Sequence, residues 1–317
     1  MTDLCSFVIP CYNEEGNVEA IYQGITELFR RKGIETELVM VNDGSTDETL
    51  YKLRKLYDTA GDEHLKIVSF SRNFGKDAAI LSGLRHTTGR YVCIIDADLQ
   101  QPPEVALQMY EKLESSPELD CVAAFQENRK ESKTLRFFKD SFYKLINRLS
   151  ETKFRQGASD FRMCRRNMID AVLSLPEYHR FSKGIFSWVG FNTFFMPYEV
   201  RERNSGVSKW SFSRLFSYAL GGIMSYSTAP LMFSSVMGIS VTVLSLLYLI
   251  VILILAICGV RITFQHAAFG FLSLLGGIQL ISVGIIGGYL SRTYIQGKGR
   301  PLYIEKEVLE RKDDARE

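Results

Sequence analysis

From Leu215 to Val260, and again from Ala267 to Ser291, the chain contains no Asp, Glu, Lys, Arg or His. A helix of about 20 apolar residues suffices to cross a bilayer, so the stretch predicts two membrane spans, about 231–258 and 267–290. Pro230 restricts Ala229 and places a break before the first. Two buried helices of a soluble core would be an unusual use of apolar runs this long. Only Arg261 to His266 separates the spans, so they form a hairpin whose outer ends lie on one side. Arg292, Lys298, Arg300 and Lys306 follow the second span, against one Arg in the turn, which predicts a multi-pass protein of the inner (plasma) membrane with both termini cytoplasmic.

The N-terminal half reads differently. Short β-branched runs, SFVIP, ELVMVND, KIVSFS, RYVCIID and DCVAAF, alternate with amphipathic segments, the pattern of a mostly parallel sheet covered by helices. Helix starts are expected at Asn17, at Ser45 and Thr46, and at Pro102 and Pro103. In such a sheet ligands sit beyond the carboxyl ends of the strands. The chain divides on this reading into a catalytic core over 1–132, an acceptor-side segment over 133–228, the hairpin over 229–291 and a solvated cytoplasmic tail over 292–317. Within the second segment, Leu135, Phe138, Phe142, Leu145 and Leu149 form one helical stripe, with Arg136, Lys144 and Arg148 beside or opposite it, a pattern equally suited to a membrane interface and to an ordinary docked helix.

The MTDLCSFVIP start lacks a basic region and a long apolar region, so the N-terminal part is not expected to be exported. Six cysteines lie far apart with no C-x-x-C pair, which indicates neither a zinc site nor a disulfide framework. The formal net charge is +2, with basic and acidic residues intermixed, so nucleic acid is not an expected partner. No G-x-G-x-x-G or G-x-x-x-x-G-K-S/T follows a strand, which removes dinucleotide and P-loop sites.

Acidic residues stand at successive strand ends: Asn13 and Glu14 after the first, Asp43 after the second, and Asp96-Ala97-Asp98-Leu99-Gln100 after the fourth. Two carboxylates at a strand end can converge on a hard divalent cation that also binds phosphate, implying Mg2+ or Mn2+. Asp43, with Gly44 and Ser45, reads either as a turn and helix cap or as a carboxylate gripping a base or ribose.

The runs Ile9 to Glu15, VNDGSTDET, SRNFGKDAA and IDADLQQPPE, in this order, together with QGASDFRM and RERNSGVSKWSFSRL, resemble the inverting family 2 glycosyltransferases with a GT-A fold, and within them the dolichyl-phosphate mannose synthases and bacterial polyprenyl-phosphate (bactoprenol) glucosyltransferases. The resemblance covers almost the whole chain. It implies that Pro10, Tyr12, Asn13, Glu14 and Asp43 line the nucleotide-sugar site with Lys76 nearby and Ala97 between Asp96 and Asp98. Asp96, Asp98 and Gln100 would take metal and diphosphate, and Asp160 would stand near sugar and acceptor. Arg203 and Lys209, with Ser205 and Ser208, would form a loop closing over phosphates, and Arg129, Arg136 and Arg162 would bind the acceptor phosphate. The implied partners are a nucleotide-sugar, UDP-glucose first and GDP-mannose or UDP-N-acetylglucosamine behind it, and a polyprenyl phosphate in the membrane. Gly276, Gly277, Gly284, Gly287 and Gly288 would permit close helix packing in a homo-oligomer such as a tetramer. A processive polysaccharide synthase shares the fold but needs a Q-x-x-R-W motif absent here, while a non-catalytic membrane scaffold would leave the D-x-D without purpose.

Overall fold

A computed structural model describes residues 4–126, 158–178, 180, 182–199, scattered positions between 237 and 258, and 264–311. They fall into two compact units, one holding a sheet and one holding a long helix.

The sheet is built from β1 (Cys5–Cys11), β2 (Thr36–Asn42), β3 (Leu65–Phe70), β4 (Tyr91–Ile94), β5 (Cys121–Gln126), β6 (Ala158–Arg165), β7 (Thr193–Tyr198) and β8 (Glu305–Leu309). Its order is β7-β5-β6-β4-β1-β2-β3-β8. The β3-β2-β1-β4 centre is parallel, β6 runs antiparallel between β4 and β5, β7 pairs parallel with β5, and β8 closes the far edge antiparallel to β3.

Alternation assigns each strand residue to one face. Leu38 and Met40 join Phe7, Ile9 and Phe29 in the cluster under α1 (Val18–Arg30), α2 (Thr49–Ala60) and α4 (Pro103–Ser115), whereas Val39 and Val41 join Val68, Phe70, Ala78 and Ala79 under α3 (Lys76–His86). Both faces of the parallel centre are therefore covered, which is why its strands read as continuous apolar runs. Each large side chain buried there contributes about 1.5–3 kcal/mol. Gly83 lets α3 lie this close: a Cβ there would meet Val8 Cγ1 at 2.3 Å.

The five predicted strands and the proline start of α4 match. Two expectations change. Asn17 occupies its cap position without a capping side-chain bond, and α2 starts later than expected, at Thr49, where Asp47 Oδ1 accepts the Thr49 amide at 3.1 Å. The sheet also extends past residue 132 and draws in the expected tail. β8 alternates Glu305, Lys306, Glu307, Val308 and Leu309, an edge strand whose charges face solvent and so resemble a tail in sequence. It is anchored by Tyr303, which stacks on Phe70 with centroids 4.9 Å apart, and by the Arg54–Glu307 pair.

The other unit holds α7 (Phe264–Gly297), a continuous helix of 34 residues that contains the second predicted span. Among the described residues, which include only some side chains of α7 and few positions of the first predicted span, no helix is long and apolar enough to cross a membrane.

Candidate functional site

The centre of the sheet runs β3-β2-β1-β4, so successive connections leave β1 in opposite directions and a crevice opens between the carboxyl ends of β1 and β4. Short loops bring the acidic residues of the sequence to this crevice.

Beyond β1, Asn13 adopts φ 56°, a left-handed conformation that Asn tolerates better than most residues. Its amide donates to Ser45 Oγ at 3.0 Å and its Oδ1 accepts the Thr46 amide at 2.9 Å, which ties the β1 loop to the β2 loop. The Glu14 amide donates to Thr49 Oγ1 at 2.9 Å, and Glu14 Oε2 accepts from Asn17 Nδ2 at 2.7 Å. Pro10 lies in β1 opposite Val41, and Tyr12 stands 42% exposed at the mouth, an aromatic face open to a flat partner.

Asp43 is 3% exposed, and both of the roles open to it from sequence must now accommodate its hydrogen bonds. Its Oδ1 accepts the Phe74 amide at 2.7 Å and its Oδ2 the Gly75 amide at 3.0 Å. Burial pushes the carboxyl up, and these amides oppose the rise. Asp43 thus fastens the β3–α3 loop. Gly44 makes this possible: at φ +62° its Cα lies where a Cβ would meet the Arg72 carbonyl carbon at 2.3 Å.

Beyond β4, Asp96 is held at both ends of Gln101: its amide donates to Gln101 Oε1 at 2.8 Å and its Oδ2 accepts from Gln101 Nε2 at 2.9 Å. Gln101 is 4% exposed. The sequence offers Gln100 and Gln101 side by side, and Gln101, which it had not singled out, is the one that orients Asp96. The Gln100 amide instead caps Asp98 Oδ1 at 3.2 Å. Ala97 between the two carboxylates is buried, and Leu99 adopts φ 60°. An apolar side chain in that region costs on the order of 1 kcal/mol, a strain placed immediately after the D-x-D.

Lys76, at the start of α3, is not near the Tyr12 mouth alone. Its ammonium lies 2.5 Å from Asp96 Oδ1 and 3.2 Å from Asp160 Oδ2, bridging β4 to β6. Burial would lower the Lys76 pKa, but the two carboxylates outweigh it and hold the ammonium charged. For Asp160, burial raises the carboxyl, yet Lys76, Lys183 and Arg162 bring it down to about 2. The Lys76 side chain keeps 42% exposure, so solvent screens the bridge and its contribution to stability is small.

Arg162 faces Ile94 across the β4–β6 ladder and shares its strand face with Asp160, two residues away. It is 5% exposed, donates from Nη2 to the Ser159 carbonyl at 3.0 Å, and lies 4.3 Å over the ring of Phe186 in α6 (Ser182–Trp188). The start of α6 is pinned because Ser182 donates both its amide, at 3.0 Å, and its hydroxyl to Asp77 Oδ1. None of Asp77, Ser182 or Lys183 carried a signal in the sequence: they meet only through tertiary packing, on segments more than a hundred residues apart. A cavity of about 390 Å3 adjoins this cluster at the N-terminus of α3, lined by Arg72, Phe74, Lys76, Asp77, Tyr178 and Arg180 among others.

Among the described residues no group of three His, Cys, Asp or Glu is placed to hold a metal. The Asp96 and Asp98 pair still suits a hard divalent ion, since Mg2+ and Mn2+ sites of this kind use one or two carboxylates and complete the shell with water and substrate phosphate. Arg129, Arg136, Arg203, Ser205, Ser208 and Lys209 lie outside the described residues.

Comparison with known proteins agrees with this site. A Bacillus subtilis protein named as a glycosyltransferase is 40% identical over 96% of this chain and 92% of its own length. The bactoprenol glucosyl transferase of Shigella phage SfX is 37% identical over 95% of this chain and 98% of its own. The prophage bactoprenol glucosyl transferase homolog of Escherichia coli is 37% identical over 96% and 98%. Among solved structures, glucosyl-3-phosphoglycerate synthase of Mycobacterium tuberculosis in complex with Mn2+, UDP-glucose and phosphoglyceric acid shares 18% identity at a TM-score of 0.45, over 70% of this chain and 78% of that one. Residues 6–173 match the family described as glycosyl transferase family 2, the class of enzyme is a glycosyltransferase with a GT-A-like α/β fold, and the chain belongs to that family.

Proposed function

We propose that this enzyme transfers glucose from UDP-glucose to a polyprenyl phosphate at the cytoplasmic face of the membrane, with inversion. The observation that carries the reading is the meeting of Asp96, Lys76 and Asp160 beside the β1–β4 crevice, in a chain similar along nearly its whole length to bactoprenol glucosyl transferases. A phosphate monoester oxygen of the lipid attacks the anomeric carbon, the new carbon–oxygen bond forms as the bond to the diphosphate breaks, and UDP leaves from the opposite face.

Each group has a part suited to its setting. Tyr12, Pro10, Asn13 and Glu14 form the mouth for base and ribose, and Asp43 shapes that mouth by holding the Phe74 and Gly75 amides. Asp96 and Asp98 would hold Mg2+ or Mn2+, which when bound neutralises the leaving diphosphate. Asp160 orients the sugar or the acceptor. An ionised phosphate needs no strong base, and a carboxyl held at about 2 is a poor one near neutral pH. Arg162, with Arg129, Arg136, Ser205 and Ser208, contributes to the acceptor side, and Arg203 and Lys209 close over the phosphates.

The lipid acceptor also calls for the hairpin of spans 231–258 and 267–290 with both termini cytoplasmic. Gly276, Gly284 and Gly287 of α7 have nothing within 4 Å of a built Cβ, which supports helix packing between copies in a homo-oligomer.

The test is release of nucleoside diphosphate by detergent-purified protein across a donor panel. Turnover only with UDP-glucose, polyprenyl phosphate and a divalent metal together supports the reading. Faster turnover with GDP-mannose or UDP-N-acetylglucosamine moves the assignment to those donors, and release without any lipid phosphate rejects the acceptor.

A further inference from the structure

Lys183 has been given no part so far. It lies in the first turn of α6, directly after Ser182, whose amide and hydroxyl both bind Asp77. Asp77 adjoins Lys76, the residue that bridges Asp96 and Asp160. The clamp therefore fixes Lys183 beside the catalytic carboxylates. A second contact sets its direction. Phe186, three residues on and so on the same helix face, lies under the Arg162 guanidinium at 4.3 Å, which turns that face toward β6.

The charges that face Lys183 are Asp160 and Asp96 on one side and Lys76 and Arg162 on the other. Lys76 already bridges both carboxylates, and Arg162 directs its donors to the carbonyls of Ser159 and Asp160. Among the described residues the Lys183 ammonium makes no hydrogen bond and no ion pair. Burial lowers its pKa, with Asp160 opposing, which is the condition of a cation partly stripped of water and not yet matched to an anion.

We propose that Lys183 is a further substrate-binding residue of this centre, whose ammonium receives a phosphoryl oxygen of either the leaving diphosphate or the attacking lipid phosphate. The assignment rests on the glycosyl transfer reading. Both sources present the same chemistry, a phosphate oxygen carrying negative charge, and a partly dehydrated ammonium binds it more strongly than an exposed one.

The experiment uses the full chain in detergent with Lys183→Met, which keeps the stem, and Lys183→Arg, which keeps the charge. Three quantities are measured for each: calorimetric affinity for UDP with Mn2+, calorimetric affinity for inorganic pyrophosphate with Mn2+, and KM and kcat for polyprenyl phosphate at saturating UDP-glucose. Lys183→Met is expected to lose at least tenfold in one arm, with Lys183→Arg recovering most of it. Loss confined to UDP and pyrophosphate assigns the oxygen to the donor, and loss confined to polyprenyl phosphate assigns it to the lipid. Values within twofold of the parent in every arm overturn the proposal. So does a Lys183→Met loss that Lys183→Arg leaves uncorrected while restoring the thermal midpoint, because that pattern belongs to a packing role. If the parent itself transfers no glucose to polyprenyl phosphate, the function reading fails, and the pyrophosphate arm still decides the role of Lys183.

Discussion

Asp160 separates two mechanisms, one in which a carboxylate removes a proton from the acceptor and one in which it only orients charge. Its carboxyl is held at about 2, against about 3.9 for an unperturbed Asp, by Lys76 at 3.2 Å together with Lys183 and Arg162. The difference corresponds to about 2 kcal/mol of interaction with those cations. The folded-state value lies below the unfolded one, so this contribution is fully present above about pH 4 and is lost only as the pH falls through about 2. Between pH 5 and 8 Asp160 therefore does not titrate. The acid limb of kcat/KM should instead follow the second ionisation of the phosphate acceptor, near pH 6 for a phosphate monoester. Asp160→Asn removes the partner of Lys76 and is expected to cost about 2 kcal/mol, roughly thirtyfold in plateau rate, while leaving the limb in place. The assay is kcat/KM for polyprenyl phosphate from pH 5 to 8 for parent and variant, at saturating donor and metal. Disappearance of the limb in the variant, or a loss beyond about ten-thousandfold with the fold intact, would refute the orienting role and make Asp160 the base.

Asp96→Asn and Asp98→Asn should each abolish metal-dependent turnover and weaken Mn2+ binding measured by calorimetry, with no change in thermal midpoint beyond a few degrees; near-normal activity in either would remove the metal assignment. Gly44→Ala should destabilise the catalytic unit by more than about 2 kcal/mol, because its φ of +62° and the 2.3 Å approach to Arg72 leave a methyl nowhere to go, and an unchanged melting profile would contradict that geometry. Glu37, buried at the other end of the sheet, is pushed up by burial but held below the ordinary range by Ser6, Thr88 and Lys66, 3.1 Å away. Its contribution is present above about pH 4.3 and lost below, and Glu37→Ala should cost about 3 kcal/mol at neutral pH by leaving Lys66 without one of its two carboxylates, read from denaturant unfolding at pH 7. Arg203→Ala and Lys209→Ala should each slow turnover about a hundredfold without altering Mn2+ affinity, and rates within twofold of the parent for both would make that segment a linker.

The parts of the site that were legible in sequence are those whose chemistry is local. Asp96 and Asp98 sit where an apolar strand stops, and Asn13 and Asp43 sit in turns whose conformations their neighbours announce, so strand periodicity and turn chemistry place all four at one edge of the sheet. Partnerships across the sheet were not legible, because nothing in the sequence marks Lys76 to meet Asp160 on a strand that enters antiparallel beside β4, or Ser182 to reach back to Asp77. The same limit explains β8. Its alternating charges satisfy an edge strand and a solvated tail equally well, and only the stacking of Tyr303 on Phe70 and the carboxylates that it brings to Arg54, Lys66 and Ser82 decide between them. These contacts have a consequence for function. Because the segment following α7 returns to pair with β3, the strand whose loop carries Phe74, Gly75 and Lys76, the C-terminal end of the chain braces the loop that shapes the nucleotide mouth, and shortening it before residue 303 should loosen that loop while leaving the D-x-D intact.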